Sequence, residues 1–189
     1  MEDLEKIETR YFFEICSDGT LLEDELRVKL QLVRELYADN LAEFQLYSIL
    51  SLASIYGVDE SRISVEVTRK RLYAQFIEEY TKVVDITKSF PLERSVRYIL
   101  SKNIVWGDCI SADMLGVEDD EVPIEFPIWN RSGNKIKRTD YRLDELIHRK
   151  FRVDNNLIKG YKGGVIRISH VCKYRPRHIR NLHSFKESS

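Results

Sequence analysis

Apolar residues in the first half of the chain recur every three or four positions, the spacing of one helix face. Leu4, Ile7, Tyr11 and Ile15 predict a helix stopped by Ser17-Asp18-Gly19. The same stretch alternates at Ile7, Thr9, Tyr11, Phe13 and Ile15, so a strand is the competing reading. A second series, Leu22, Leu26, Leu30, Val33 and Tyr37, opens on Thr20 and Glu23, a capping-box pair. A third, Leu41, Phe44, Tyr47, Leu50, Ala53 and Tyr56, opens on Asn40 with Glu43 and closes at Gly57. These two predict a hairpin of helices turning at Ala38-Asp39-Asn40. Ile63, Val65 and Val67 alternate with Ser64, Glu66 and Thr68, which predicts a short strand. Tyr73, Phe76, Ile77, Tyr80, Val83 and Val84 predict a helix from Arg69 to Lys88. Pro91 begins another, striped by Leu92, Val96 and Ile99.

Beyond Asn103 the pattern shortens. Ile104-Val105-Trp106 is a brief apolar run, Gly107-Asp108 a turn, and Ile110 to Leu115 one or two helical turns before Gly116. Val122, Ile124, Phe126 and Ile128 alternate with Pro123, Glu125 and Pro127. Proline lacks the ladder donor, so this predicts an edge strand or extended arm. A turn at Arg131-Ser132-Gly133-Asn134 precedes a second strand from Ile136. Asp140 is placed as the cap of a helix to Phe151, with Leu143, Leu146 and Ile147 inward. Gly160, Gly163 and Gly164 break the chain, and Val165 to Cys172 reads as a last strand. The fold class is therefore α+β, a mainly helical N-terminal body with a small C-terminal β-containing basic segment. It divides into an acidic helical region 1–103 and a basic α+β region 104–189, as two units or one continuous domain.

Charge sharpens that division. Residues 1–129 carry 14 Lys/Arg and 26 Asp/Glu, a net of −12, and residues 130–189 carry 16 and 5, a net of +11. Such asymmetry points to a nucleic-acid or membrane partner, or to an oppositely charged surface. At 189 residues and 43% apolar the chain is long enough for a real core, as one domain or one with an appendage. Cys16, Cys109 and Cys172 are widely spaced and odd in number, which argues against a disulfide framework and for a reducing compartment. The acidic start lacks a signal-peptide pattern. The most apolar stretch, Leu41 to Tyr56, falls short of the roughly 20 residues a membrane helix needs. A cytoplasmic protein without a membrane partner is expected.

The basic third interleaves Lys135, Lys137, Arg138, Arg142, Arg149, Lys150, Arg152, Lys159, Lys162, Arg167, Arg175, Arg177 and Arg180 with Tyr141, Phe151, Tyr161, Tyr174 and Phe185. Cations bind phosphates with counterion release, and aromatic rings stack on unpaired bases. The first expectation is a non-enzymatic nucleic-acid-binding protein. Arg138, Arg149, Lys150, Arg152, Arg175, Arg177 and Arg180 would contact DNA or RNA, and the acidic helical part would mediate self-association or partner binding. The alternative is a protein–protein interaction module (inhibitor, adaptor or assembly subunit) in which the two charges meet within or between copies.

Other chemistry is thinner. Leu52 to Ser64 resembles a helix-turn-helix core, with Ala53 at the close approach, Gly57 at the turn, Val58 and Ile63 inward, and Arg62, Ser64 and Arg69 offered to a groove. Glu66 occupies an expected core position there, and the surroundings are acidic. A second such string, Ala112 to Val117, runs into four acids. His170, Cys172, His178 and His183 fall within 14 residues but match no standard zinc spacing. The run Glu118–Glu121 with Asp108 or Glu125 supports a third reading, a metal-dependent nuclease, although the carboxylate–x–Lys pairing of many such enzymes is missing. Neither GxxxxGK[ST] nor GxGxxG occurs. No cofactor, metal or catalytic residue is expected.

Overall fold

The structure is a computed structural model. It describes residues 20–87, 89–108, 113–115, 122–143 and 172–185, together with the backbone of 12–15. In chain order the elements are β1 (Phe12–Ile15), α1 (Thr20–Tyr37), α2 (Leu41–Ala53), β2 (Ile55–Asp59), α3 (Arg62–Tyr80), α4 (Glu93–Asn103), β3 (Ile104–Asp108), β4 (Asp113–Met114), β5 (Glu125–Ser132), β6 (Lys135–Arg142), β7 (Cys172–Lys173) and a 3₁₀ helix (Ile179–Ser184). The fold is α+β. One sheet has the order β1-β2-β3-β4, with β1, β2 and β3 parallel and β4 antiparallel to β3; the other is the antiparallel β5-β6-β7.

The helical hairpin forms where the pattern places it. Asn40 Oδ1 accepts from the Glu43 N–H at 3.3 Å, capping α2. Leu22, Leu26, Leu30 and Val33 of α1 are buried against α2 and α3. α1 and α3 lie side by side, stitched by Arg71–Glu23 at 3.6 Å and Arg34–Glu79 at 3.0 Å. Lys29 is buried with its ammonium 2.6 Å from Ser54 Oγ, at the carbonyl end of α2, where the helix dipole favours a cation.

Four expectations are corrected. The N-terminal stretch is a strand at Phe12–Ile15, where a helix was the first reading. The third helix ends at Ala53, not Gly57. Ile55 to Val58 pass into β2 and are buried because parallel neighbours flank them on both edges. A continuous apolar run does not distinguish buried helix from buried strand. Residues 62–80 form one helix. The Ser61 side chain accepts from the Ser64 N–H, and Val65, Thr68, Leu72, Phe76 and Tyr80 form the buried face, leaving Ile63 76% and Val67 38% exposed. Cap and packing outweigh the strand preference of three branched residues. Asp113–Met114 pairs with β3 as a short strand, not a helical turn.

The two sheets share a core. Asn103 Nδ2 donates to the Ala53 and Ile55 carbonyls at 2.9 and 3.0 Å, and Trp129 Nε1 donates to Asn103 Oδ1 at 2.9 Å. Tyr56 donates to the Pro127 carbonyl at 2.6 Å and meets Phe126 edge-on. The buried cluster runs without interruption from Leu22 to Phe185 across residue 103. Among the described residues no helix is long and apolar enough to cross a membrane.

Candidate nucleic-acid interface

β5 and β6 form a register-perfect hairpin closed by the two-residue loop Gly133-Asn134, with Gly133 at φ 63. That left-handed backbone suits a residue without a Cβ. β7 pairs with β6 through Thr139–Lys173 and Asp140–Cys172, and an isolated bridge joins Ile136 to Arg177. The 3₁₀ helix follows. His178 Nδ1 accepts from the Arg180 N–H, and Ser95 Oγ of α4 accepts from the Leu182 N–H. Ile179, Leu182 and Phe185 are buried, which pins this segment against α4 and leaves its polar side chains outward.

The cations separate into two groups. Arg138 is only 4% exposed. Its Nε and Nη2 donate to the two Asp140 carboxylate oxygens, each at 2.7 Å, and Nη1 donates to the Tyr98 hydroxyl. Tyr98, Trp129 and Tyr174 surround it, with its guanidinium carbon 5.8, 5.7 and 4.7 Å from their ring centres. Burial alone would lower its pKa, but Asp140 and the two tyrosines more than offset that and hold it charged. Arg138 is therefore corrected from a phosphate contact to the centre of an internal ion pair. Asp140 is likewise corrected: it lies in β6, not at a helix N-terminus.

Arg175, Arg177 and Arg180 are exposed, as are Lys135 and Lys173, and Lys137 is half-buried. None of these six makes an ion pair with another described residue. The Ile136–Arg177 bridge lays Arg177 alongside Lys135 and Lys137, Lys173 pairs with Thr139 further along β6, and Arg180 follows in the 3₁₀ helix. Residues 172–185 hold four Lys/Arg and no Asp or Glu. Lys135, Lys137 and Lys173 were visible beforehand only as part of a basic stretch. Their exposure follows from strand alternation, once β6 and β7 are known. Arg149, Lys150 and Arg152 lie outside the described residues, as do His170 and Glu118–Glu121.

The acidic body mostly serves its own cations. Arg27–Asp24, Lys29–Glu25, Arg34–Glu79, Arg62–Glu66, Arg71–Glu23, Lys82–Glu79 and Arg97–Glu93 are all internal to it. Among the described residues, one ion pair crosses to the basic third. Arg131 reaches Glu43 at 3.1 Å and the Tyr47 hydroxyl, and stacks on the Tyr47 ring.

The other chemical readings fare differently. The helix-turn-helix string is interrupted by β2, and its cations are committed: Arg62 stacks on Trp106 and Arg69 binds backbone carbonyls. The second string, Ala112 to Val117, falls mostly outside the described residues. No group of three or more His, Cys, Asp or Glu suited to a metal occurs among the described residues. Glu125 sits opposite Arg142 across the hairpin; partial desolvation, then the Asp140 carboxylate, raise its pKa while Arg138, Arg142 and Lys102 oppose the rise. Comparison with known proteins returns no match: no family model, no curated protein and no solved structure resembles the chain.

Proposed function

We propose that the chain is a non-enzymatic, intracellular nucleic-acid-binding protein that grips the phosphate backbone with the basic edge formed by β6, β7 and the 3₁₀ helix. One observation carries this reading. Lys135, Lys137, Lys173, Arg175, Arg177 and Arg180 lie on β6, β7 and the segment that follows without an ion pair to any described residue, while seven of the body's cations are paired with its own acids. Among the described residues, no acid of the acidic half pairs with these six cations, and phosphate is a complementary polyanion. The contacts are to backbone, so binding is expected to be tolerant of sequence.

Fluorescence anisotropy with labelled single-stranded RNA, single-stranded DNA and duplex tests it. If all six cations engage phosphates, log affinity falls against log salt with a slope of roughly −5 for duplex and about −4 for a single strand. The triple charge reversal Arg175→Glu, Arg177→Glu and Arg180→Glu is expected to abolish binding while leaving the circular dichroism spectrum unchanged. Retained binding with a wild-type salt slope refutes the proposal.

A second reading is favoured by a separate feature. Leu21, Val28 and Leu36 of α1 are 60%, 59% and 45% exposed and are flanked by Asp24, Glu25 and Glu35. This acidic, apolar-studded face supports a protein contact by the helical body. Light scattering at low and high salt separates the two readings: a salt-sensitive oligomer with no affinity for any nucleic acid favours a protein–protein module.

A further inference from the structure

A cavity of about 370 Å³ opens between the first half of α3 and the strands β3 and β4. None of its lining residues belongs to the basic edge. Val65, Val105, Met114 and Leu115 form apolar walls, and Trp106, Arg62, Arg69, Glu66 and Ser101 supply the rest. The volume is at the lower end of the range of small-molecule sites, and an apolar lining with a few convergent polar groups is their usual make-up.

The polar groups are fixed by the fold. The Trp106 indole N–H donates to the Glu60 carbonyl at 2.9 Å, which sets the ring's orientation, and the Arg62 guanidinium lies over that ring at 5.7 Å. Arg69 is half-buried. Its Nε donates to the Ile104 carbonyl at 2.9 Å and its Nη2 to the Ser101 carbonyl at 3.1 Å. Its remaining nitrogen, Nη1, makes no hydrogen bond to a described residue. A guanidinium anchored through two nitrogens in the wall of a cavity is held ready for an anionic acceptor. Arg62, Arg69 and Glu66 together leave one net positive charge, since Glu66 lies 3.6 Å from Arg62 and also acts on Arg69.

We propose that this cavity binds a small aromatic carboxylate. Its ring stacks against the Trp106–Arg62 pair among the apolar walls, and its single negative charge meets Arg69. A monoanion matches the net charge of the lining, and a flat apolar body suits the half-buried indole. The site is separate from the phosphate-binding edge and does not depend on it.

Trp106 and Trp129 are the chain's only tryptophans, so a ¹⁵N–¹H spectrum has two indole cross-peaks. Trp129 is buried against Asn103 and is the internal control. Titration with 2-naphthoate is expected to shift the Trp106 peak saturably with a midpoint below about 1 mM and to leave the Trp129 peak in place. The neutral analogue 2-naphthylmethanol is expected to bind roughly tenfold or more weakly, a difference of about 1.4 kcal/mol. Arg62→Glu is 71% exposed at its side chain, so the fold should tolerate it, and it is expected to remove the shift. Arg69→Met is expected to do the same, and amide spectra report whether it still folds. The charge reversals on the basic edge should not alter this titration. No saturable shift, equal binding of the neutral analogue, or stronger binding of adenosine monophosphate or inorganic phosphate overturns the proposal.

Discussion

The Arg138–Asp140 pair gives the sharpest test of the internal architecture. Both side chains are almost fully buried, at 5% and 3% exposed. They are joined by two parallel bonds of 2.7 Å, and the Tyr174 hydroxyl lies 3.2 Å from Asp140 Oδ2. Removing one member leaves the other's charge in a site walled by aromatic rings. Breaking a buried pair in this way costs about 3–5 kcal/mol. Arg138→Met should therefore lower the urea midpoint by roughly 2 M, taking an m-value of about 2 kcal/mol/M. Asp140→Leu should cost a similar amount. The double variant Arg138→Met/Asp140→Leu should be far better than the sum, because replacing both charges with apolar groups of similar size removes the stranded ion. A coupling energy of about 2–3 kcal/mol is expected from the cycle.

The same variants report on function. A phosphate contact contributes about one unit to the salt slope of binding. The folded double variant should keep the wild-type slope, since Arg138 faces inward. A cost below about 1 kcal/mol for Arg138→Met, strict additivity in the cycle, or a slope reduced by about one would each refute the assignment of Arg138 as an internal group.

Three other perturbations have defined outcomes. Asn103→Ala strands the Trp129 indole N–H and removes the partner of two carbonyls, so it should cost about 2–4 kcal/mol in urea unfolding. Gly107→Ala would put a Cβ 2.5 Å from Ile124 Cδ1 and 2.8 Å from the Asp113 carbonyl; prising β4 from β3 should cost about 1–3 kcal/mol and broaden the Trp106 indole signal. Glu125 is exposed, but partial desolvation by its neighbours and then the Asp140 carboxylate raise its folded-state pKa. The folded protein therefore binds its proton more tightly than the unfolded chain, and stability is lost as pH rises from the ordinary glutamate range through the raised value. Glu125→Gln should raise the melting temperature at neutral pH, with the gain vanishing as pH falls below the ordinary carboxylate range.

The helices were legible where a cap and a long stripe agreed. α1 falls at the residues that Leu22–Tyr37 indicated, α2 begins at the Asn40 cap, and α4 begins where Pro91 and the Leu92, Val96 and Ile99 stripe placed it. The alternation across β5 and the glycine turn before β6 were equally readable. The parallel strands were not. β2 continues the apolar run of α2 with a single residue between them, so it does not interrupt the helical pattern enough to be seen, and β1, offered as the competing reading, is four residues long, too short for its alternation to outweigh the helical spacing. Residues 62–68 failed for the opposite reason: three branched residues imitated a strand, while the information that makes them helical lies in Ser61 and in Leu72, Phe76 and Tyr80 further on.

The basic third shows how far charge alone can go. Net charge identified a stretch rich in exposed cations but weighted its arginines equally, and a strand does not. Residues two apart share a face, so Arg138 and Asp140 meet on the inner side of β6 while Lys135 and Lys137 fall outside or at the margin. Reading Asp140 as a helix cap hid that pairing. With β6 assigned, Arg138 is removed from the surface and the cationic edge shifts to the turn-proximal end of the hairpin, beside Arg177. A polyanion bound there would run past the 3₁₀ helix toward Arg180, which lies near enough to the Tyr80 hydroxyl to oppose the rise in its pKa caused by burial. The path thus leads from the β6 turn to the C-terminal end of α3. Crosslinks from a photoreactive nucleic acid should fall between these two points, and their absence from β6, Arg177 and the 3₁₀ helix would refute the path.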